Sequence, residues 1–362
     1  MSLISFGGNN LFLGIDIGDS SLKMVELKKK SRRIYLSNYA FSENISEVNF
    51  TKIDDINYLA KAIVKVRNEA GITATKVTAS LPTFAVFSSI IHLSNVDKKG
   101  IALAVNEEAK KVIPLPLEEM ILDWKIIPDE FGKTPTRGNM RVFLTGSPKK
   151  LVRKYIDVFK QAKLNLVSLE TETFSLVRSL IGNDKTTVMI AEIGANSTDI
   201  CIVKESIPVL SRSLAVCAST VTKALAEKLG MTYIQAEQFK FDLSVTLGTD
   251  ESGAEALIGP TEKKEELPEL IGKTLEPIVT EMKYMLDFYR SQNGGEVEKI
   301  ILSGGGAMLL NLSDYFSKRL NIKVIIGDPW NRVNCPAELK PILSEVGAKL
   351  AVAIGLGMRE TE

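Results

Sequence analysis

The stretch LFLGIDIGDSSLKMVEL, residues 11–27, decides the fold, because its pattern recurs at residues 188–203 as VMIAEIGANSTDICIV. At one constant offset, four positions of the first copy align with the same chemistry in the second: Asp16 with Glu192, Ile17 with Ile193, Gly18 with Gly194 and Ser21 with Ser197. Each copy is an apolar strand, a turn of small polar residues and a second strand. The pattern predicts two β-hairpins whose turns present N–H and hydroxyl groups to a phosphate chain.

A glycine-rich segment, IILSGGGAMLL at residues 300–310, supplies a third element. It predicts a strand, three consecutive glycines and a helix. Gly304, Gly305 and Gly306 have no Cβ, so a planar ring or a ribose can approach their backbone closely. A triphosphate with bound Mg²⁺ needs donors on several oxygens and a carboxylate near the metal or its waters. Two facing hairpins and this segment would together meet those needs.

In this order and at this spacing, the three motifs resemble those of the actin-like ATP-binding superfamily, which includes heat-shock proteins and sugar kinases. The first phosphate motif corresponds to residues 16–23, the second to residues 192–198 and the adenosine motif to residues 303–307. Near the end of the chain, GDPWNRVN and GAKLAVAIGLGMR are similar to the PilM family of type IV pilus assembly. The resemblance covers nearly the whole chain. It implies an α/β, duplicated actin-like (ribonuclease H-like) ATPase fold of two lobes with an inserted FtsA/PilM-type α+β subdomain.

The resemblance and the predicted elements together give domain boundaries. The first actin-like core subdomain is predicted over residues 1–83, 165–183 and 345–362, and the second over residues 184–231 and 293–344. An inserted α+β module is expected over residues 84–164, in which Ser147 as N-cap and Pro148 as first helical residue predict a helix start. A helical and mixed insertion is expected over residues 232–292, with a polar, mobile loop in its middle.

Composition favours a globular protein with a large core. The chain has 362 residues, of which 45% are apolar, enough for about two domains. Its net charge of +1 and dispersed basic residues argue against nucleic acid as a partner. The densest basic cluster, KKKSRR at residues 28–33, predicts a solvated hairpin tip rather than a contact with anionic lipid.

Cysteine, histidine and hydropathy patterns exclude other classes of site. Cys201, Cys217 and Cys335 lack metal-ligand spacing, and their odd number argues against a disulfide framework, so a reducing cytoplasm is expected. His92 is the only histidine, which excludes a catalytic triad or a multi-histidine metal site. No secretory signal is expected in the first ten residues, and no run is expected to approach the length of a bilayer span. Any membrane association is therefore expected to come through a partner or to be peripheral.

The resemblance implies a role for each residue of the two hairpins. Asp16 and Glu192 would hold Mg²⁺ through water from opposite lobes, and Glu192 stands where the superfamily usually has Asp, so hydrolysis is expected to be weak. Lys23 matches a lysine that reaches the phosphates from the adjoining strand, unless it is simply a solvent-facing strand lysine. Asp19 would need a metal nearby, because a carboxylate repels polyphosphate. The turns comprise Gly18, Asp19, Ser20 and Ser21, then Gly194, Asn196, Ser197 and Thr198.

Three further acids and a lysine complete the implied site. Glu237 and Lys240 match a superfamily pair that contacts ribose and base, although an ordinary surface ion pair would give the same spacing. Glu172 matches the residue that positions water for hydrolysis in filament-forming relatives. Glu170 and Glu172 are equally explained as charges at a helix N-terminus, where the helix dipole favours carboxylates.

The resemblance to PilM implies an ATP-binding, actin-like scaffold on the cytoplasmic side of the inner-membrane assembly platform of a type IV pilus or related secretion system. It would bind the N-terminal cytoplasmic peptide of PilN in a groove between the first core subdomain and the inserted module, alongside other platform proteins. Whether the chain forms homo-oligomers is left open by the sequence. An FtsA-like division protein would need an amphipathic C-terminal helix, which GLGMRETE does not provide. A small-molecule kinase would need an Asp general base in the cleft, and the sequence offers no convincing candidate.

Overall fold

The computed structural model describes residues 11–18, 20–43, 55–97, 99–128, 137–246, 268–292 and 294–361. Asp19, the first ten residues and the predicted loop around residues 247–267 lie outside them. The strands are β1 (Leu11–Ile17), β2 (Ser21–Lys30), β3 (Arg33–Glu43), β4 (Lys76–Leu81), β5 (Phe87–Asp97), β6 (Met120–Ile127), β7 (Arg137–Pro148), β8 (Asn165–Thr171), β9 (Val188–Ile193), β10 (Thr198–Lys204), β11 (Ile207–Leu214), β12 (Lys299–Ser303) and β13 (Lys323–Ile326). The helices are α1 (Ile56–Glu69), α2 (Ile101–Val112), α3 (Lys149–Gln161), α4 (Glu172–Leu176), α5 (Ala218–Leu229), α6 (Tyr233–Thr246), α7 (Glu269–Ser291), α8 (Leu312–Leu320) and α9 (Lys340–Met358).

Two five-stranded sheets repeat one topology. The first has the order β3-β2-β1-β4-β8 and the second the order β11-β10-β9-β12-β13. In each, an antiparallel three-stranded meander carries the predicted hairpin, and two parallel strands follow on the other side of its first strand. The predicted duplicated α/β fold is confirmed. The KKKSRR cluster forms the tip of the β2–β3 hairpin, as predicted.

Helix α9 packs between the two sheets. On one side Leu350 and Ile354 join the buried cluster of Val25 and Leu27 from β2. On the other side its apolar residues join the cluster that includes Ile190 of β9. The helix lies so close to β1 that a Cβ on Gly14 would be 2.0 Å from the carbonyl oxygen of Ala353. One helix therefore completes both cores.

Because residues 350–358 of α9 are all apolar and buried, the helix also has the composition of a membrane span. Among the described residues, the stretch Ala337–Thr361 is long and apolar enough to cross a bilayer, which corrects the expectation that no run approaches that length. Of its most apolar window, 67% is buried inside the protein. A helix covered by a sheet on each side needs the same all-round apolarity as a helix in lipid.

The inserted module is a three-stranded sheet, β5-β7-β6, whose core also contains Val105 and Ala109 of α2. The boundary predicted at residue 164 assigns α3 to this module, but Tyr155, Val158 and Phe159 of α3 pack into the core of the first sheet, beside α1. Helix α3 also begins one residue later than the predicted helix. Strand β7 stays paired with β6 through Pro148, so Ser147 lies in a strand and does not cap the helix. The other domain boundaries stay predictions.

Candidate functional site

The two hairpin turns close in the same way. The N–H of Gly18 donates to the carbonyl of Ser21 at 3.0 Å, and the N–H of Gly194 donates to the carbonyl of Ser197 at 2.9 Å. A Cβ on Gly194 would lie 3.0 Å from that same carbonyl oxygen. Because both glycine N–H groups are used inside the turns, the glycines shape the turns. Ser20, Ser21 and Asn196 are left as candidate phosphate donors, whereas the Ser197 hydroxyl already donates to Asp199.

Asp16 is fully buried at the end of β1 and is held by two donors. Lys23, its register partner on β2, donates from Nζ to Oδ2 at 2.8 Å, and the Ser80 hydroxyl of β4 donates to Oδ1 at 2.8 Å. Burial opposes the charge on Lys23, but Asp16, with smaller contributions from Glu192 and Glu172, raises the pKa of Lys23 overall. Lys23 is therefore a buried, charged partner of Asp16 rather than a solvent-facing strand lysine. It lies beside the first turn, where a Cβ on Gly18 would be 3.2 Å from its Nζ.

Glu192, near the end of β9, is influenced by the charges of this pair. Burial is the main cause that raises its pKa from 4.5 to about 8, and the negative charge of Asp16 adds to the shift. Its Oε2 is buried and accepts no hydrogen bond from the described residues. A buried carboxylate oxygen without a donor is costly and is satisfied by a cation, a proton or water. Glu192 thus fits the metal-side role that the sequence predicts for it.

Sequence reasoning missed Asp199, which pairs with Glu192 in the β9–β10 ladder. Its Oδ2 accepts a hydrogen bond from the Ser197 hydroxyl at 3.1 Å, and its charge raises the pKa of both Glu192 and Glu172. The signal was present in the sequence. The constant offset between the two copies makes Asp199 the sequence equivalent of Lys23. The second hairpin therefore has an acidic residue at the position where the first has a basic one.

Glu172, the first residue of α4, belongs to the same group of acids. The backbone N–H and the hydroxyl of Thr83 donate to its Oε2 at 3.0 and 2.9 Å. Burial, followed by the charges of Glu192 and Asp16, raises the pKa of Glu172 well above its ordinary value. The alternative candidate, Glu170, is instead bound at both oxygens by Arg178, at 2.6 and 2.8 Å. Of these two glutamates, Glu172 therefore interacts electrostatically with the acids of the hairpins, whereas Glu170 is paired with Arg178.

The described residues contain no group of three Asp, Glu, His or Cys side chains close enough to hold a metal ion directly. A cation between Asp16 and Glu192 would be bound largely through water and phosphate oxygens, which is how Mg²⁺ is commonly held in nucleotide sites. The residues present fit such an ion, because an unsatisfied buried oxygen of Glu192 and a buried Asp16 lie on the two hairpins.

The second turn offers fewer donors than predicted. Thr198 is fully buried, and its hydroxyl donates to the carbonyl of Val216 at 2.7 Å. This bond ties β10 to the segment before α5 and removes Thr198 from the predicted phosphate donors. Asn196 is exposed, accepts a long contact from Ser219 at 3.4 Å, and keeps its amide N–H groups on the surface of the turn.

Glu237 and Lys240 lie one turn apart on α6 and share a partner on α5. Lys240 Nζ donates to Glu237 Oε2 and to the Thr222 hydroxyl, both at 2.8 Å, and Thr222 donates to the same carboxylate oxygen at 2.5 Å. Lys240 is buried and Glu237 is partly exposed, so this is more than a surface ion pair. The carboxylate is held in place with one side open, as a ribose-binding group would need to be.

The three glycines after β12 divide into two roles. A Cβ on Gly304 would lie 2.5 Å from the carbonyl oxygen of Ile193, and one on Gly306 would lie 2.4 Å from the Ile193 side chain. Their missing side chains make room for the end of β9, a packing role that the sequence did not indicate. Only Gly305 is exposed, with Lys349 Cε as the nearest atom to its Cβ position at 3.8 Å. Close packing on Ile193 nevertheless holds this loop against the second hairpin.

The raised pKa of Glu192 predicts a pH-dependent stability. Between its ordinary pKa of 4.5 and about 8, the folded chain keeps a proton that the unfolded chain has released. Glu192 therefore lowers the free energy of unfolding progressively as the pH rises through that interval. Without nucleotide or metal, Glu192→Gln should raise the unfolding temperature at pH 8 by a few degrees, equivalent to roughly 1 kcal/mol or more. The difference from the wild type should shrink towards pH 5.

Thermal unfolding between pH 5 and 8.5 tests this, with Glu69→Gln as control. Glu69 is an exposed carboxylate on α1, so its variant should differ from the wild type equally at every pH. A Glu192→Gln effect that is also constant with pH would contradict the proposed cause.

Comparison with known proteins identifies the fold and the family. A family model described as type IV pilus assembly protein PilM matches residues 14–361. A solved PilM–PilN type IV pilus biogenesis complex has a TM-score of 0.81 and 23% identity, over 97% of this chain and 98% of that chain. Ethanolamine utilization protein EutJ from Carboxydothermus hydrogenoformans follows at a TM-score of 0.55 and 13% identity, over 96% and 89%. MreB 5 of Spiroplasma citri bound to AMPPNP has a TM-score of 0.54 and 13% identity, over 98% and 97%.

At these identities the solved structures show a shared fold, and that fold is actin-like. The family model spans nearly all of the described chain and includes both hairpins, the inserted module and α9. The resemblance drawn from the three motifs is thereby confirmed. The chain belongs to the PilM family of type IV pilus assembly proteins.

Proposed function

We propose that the chain binds ATP with Mg²⁺ between its two hairpins and that the bound nucleotide sets the angle between the lobes of an assembly scaffold. The observation that carries this proposal is the group formed by Asp16, Lys23, Glu192 and Glu172, which come from separate elements of the two lobes. Their mutual effects on pKa place them within electrostatic reach of one another. A relative of similar fold, MreB 5, has been solved with the ATP analogue AMPPNP.

The protein's own residues would share the work of binding. Lys23 and the serines of the first turn would contact phosphate oxygens. Asp16 and Glu192 would orient the waters of Mg²⁺, and Glu237 would accept hydrogen bonds from the ribose. The cation itself supplies charge neutralisation along the phosphates. Glu172 would orient a water near the terminal phosphate. Since Thr83 occupies its Oε2, only part of its acceptor capacity is available for that task, so slow turnover is expected.

A cavity next to this cleft is the proposed site for the N-terminal cytoplasmic peptide of PilN. The cavity has a volume of about 200 Å³ and lies where the inserted module, the first core and β11 of the second core meet. Phe87 and Phe143 of the module and Phe174 of α4 give it apolar walls, and Arg212 of β11 gives it a charge. Such a groove suits a short peptide with apolar anchors. A relative of similar fold has been solved as a PilM–PilN type IV pilus biogenesis complex and covers 97% of this chain.

This function places the chain on the cytoplasmic face of the inner membrane, held there through PilN. Other platform proteins and further copies of the chain are additional proposed partners.

Peptide binding can be tested without disturbing the core. Ser88 is exposed on β5 and lines the cavity, whereas Ser94 is exposed on the same strand outside the cavity lining. Ser88→Arg should weaken binding of a fluorescent PilN N-terminal peptide at least about 10-fold, because the long cationic side chain fills the groove. Ser94→Arg should leave the affinity unchanged. Fluorescence anisotropy measures both, and equal affinities of the two variants would place the peptide elsewhere.

A further inference from the structure

Strand β6 forms one edge of the three-stranded sheet in the inserted module. Among the described residues it pairs with β7 alone, over eight residues and without a register shift. Proteins usually shorten or bulge an edge that they do not use, because its unpaired backbone groups attract other strands. β6 has neither device, and two of its large apolar side chains are exposed, Ile121 at 43% and Trp124 at 36%. A long, regular and partly apolar edge of this kind is suited to pairing with another strand.

Charged side chains are a third way to block an edge, but the charges of β6 have a pattern that fits a second copy of the same strand. Asp123 and Lys125 flank Trp124, and all three side chains are exposed. In an antiparallel pair of two β6 strands centred on Trp124, Asp123 of each copy lies opposite Lys125 of the other, which gives two charge-matched contacts. A parallel pair in register would instead place like charges side by side. The charges therefore favour one occupant and one orientation.

The apolar residues of β6 match in the same register. The opposite pairs are Leu122 with Ile126 and Ile121 with Ile127, and the two Trp124 residues meet at the two-fold axis. Opposite residues of an antiparallel pair have their side chains on the same face of the sheet. Leu122 and Ile126 are partly buried against the module core. Pairing would therefore extend that core across the contact between the two copies.

One backbone donor of β6 is held by the side chain of a neighbouring residue. The Trp124 N–H donates to Oδ1 of Asp123 at 2.9 Å. Local bonds of this kind compete with the bonds of a β-ladder. In the antiparallel pair, Asp123 would exchange this N–H for the Lys125 ammonium of the second copy, and the N–H would donate to a backbone carbonyl of that copy. Both groups would thus keep a partner.

We propose that two copies of the chain associate through antiparallel pairing of their β6 strands, which joins the two module sheets into one continuous sheet. The contact is isologous, since each copy contributes the same strand. It names the surface on which the further copies proposed above would bind, and it uses neither the nucleotide cleft nor the peptide cavity. One pair of strands buries little area, so the dimer is weak and its population depends on concentration.

Sedimentation equilibrium of the full chain, from about 1 to about 500 µM, tests the charge match. Asp123→Lys places like charges opposite each other and should weaken the dimer at least about 10-fold, as should Lys125→Asp. The double variant Asp123→Lys with Lys125→Asp should associate as the wild type does, because the two charges have only exchanged places. Glu107→Lys is the matched control. It reverses an exposed charge on α2 of the same module, and should leave association unchanged.

A disulfide cross-link tests the register. Trp124→Cys should give a covalent dimer under mild oxidation, because the axis sets the two copies of this position about 4.5–5.5 Å apart at Cα. Ile121→Cys, on the same strand, would lie about 20 Å from its counterpart and should not cross-link. The wild type gives the background of the native cysteines on the same non-reducing gel.

Three results would overturn the proposal. They are a wild type that stays monomeric at about 500 µM, a double charge variant that associates as weakly as either single variant, and equal cross-linking of Trp124→Cys and Ile121→Cys. Circular dichroism shows that each variant is folded before it is compared. The proposed nucleotide and peptide sites would survive each of these results, because they are measured on the single chain by their own ligands.

Discussion

Gly14→Ala should destabilise the folded chain by more than about 3 kcal/mol. The new Cβ would lie 2.0 Å from the carbonyl oxygen of Ala353 and 2.5 Å from the backbone nitrogen of Gly357. Both contacts are backbone atoms inside α9, so no side-chain rotation can relieve them. The helix would have to move off β1 and would lose contact with the cores on both of its sides.

Gly355→Ala gives a second view of the same packing, because its Cβ would lie 2.0 Å from the carbonyl oxygen of Ser175. Urea denaturation measures both losses. Gly100→Ala is the control. It adds a Cβ at 3.4 Å or more from its neighbours at the exposed start of α2, and should cost less than about 1 kcal/mol. A Gly14→Ala variant as stable as Gly100→Ala would contradict the tight seating of α9.

Asp16→Asn should reduce the affinity for ATP with Mg²⁺ by about 10–100-fold, and should also destabilise the protein by about 3 kcal/mol. The two effects have separate causes. Binding is lost because the carboxylate that orients the waters of the cation becomes a neutral amide. Stability is lost because Lys23, with a side chain only 13% exposed, keeps its charge without a compensating anion.

The double variant Asp16→Asn with Lys23→Met separates these causes. Removing both members of a buried ion pair often costs little stability, so urea denaturation should show recovery of most of the lost free energy. Nucleotide affinity, measured by isothermal titration calorimetry, should stay low. Recovery of both quantities would show that Asp16 serves only to hold Lys23, and would count against the proposed nucleotide site.

Much of the fold could be predicted because the duplicated hairpins are local features. The acid, the glycine and the serine of each copy lie within a few residues of one another, and the turn they form depends on little else. The pairing of Asp16 with Lys23 follows from the same local register. The same offset aligns Asp199 with Lys23. That alignment points to Asp199 as a site residue only once Lys23 is known to pair with Asp16.

The features that escaped prediction depend on distant partners. An amphipathic helix such as α3 shows which of its faces is buried but not which sheet covers it. The glycines after β12 do not reveal that Ile193 fills the space beside them. The contact between Thr83 and Glu172 joins residues that are 89 positions apart in the chain. No sequence motif includes both residues, so the sequence does not indicate that they meet.

The position of α9 has a consequence for biosynthesis. Domains commonly fold one after another as the ribosome delivers them, the N-terminal domain first. Here the helix that closes both hydrophobic clusters, Lys340–Met358, is translated after every strand of either sheet. Until those residues leave the exit tunnel, the nascent chain carries two open sheets with apolar faces exposed, which makes it a natural client for chaperones that bind such surfaces.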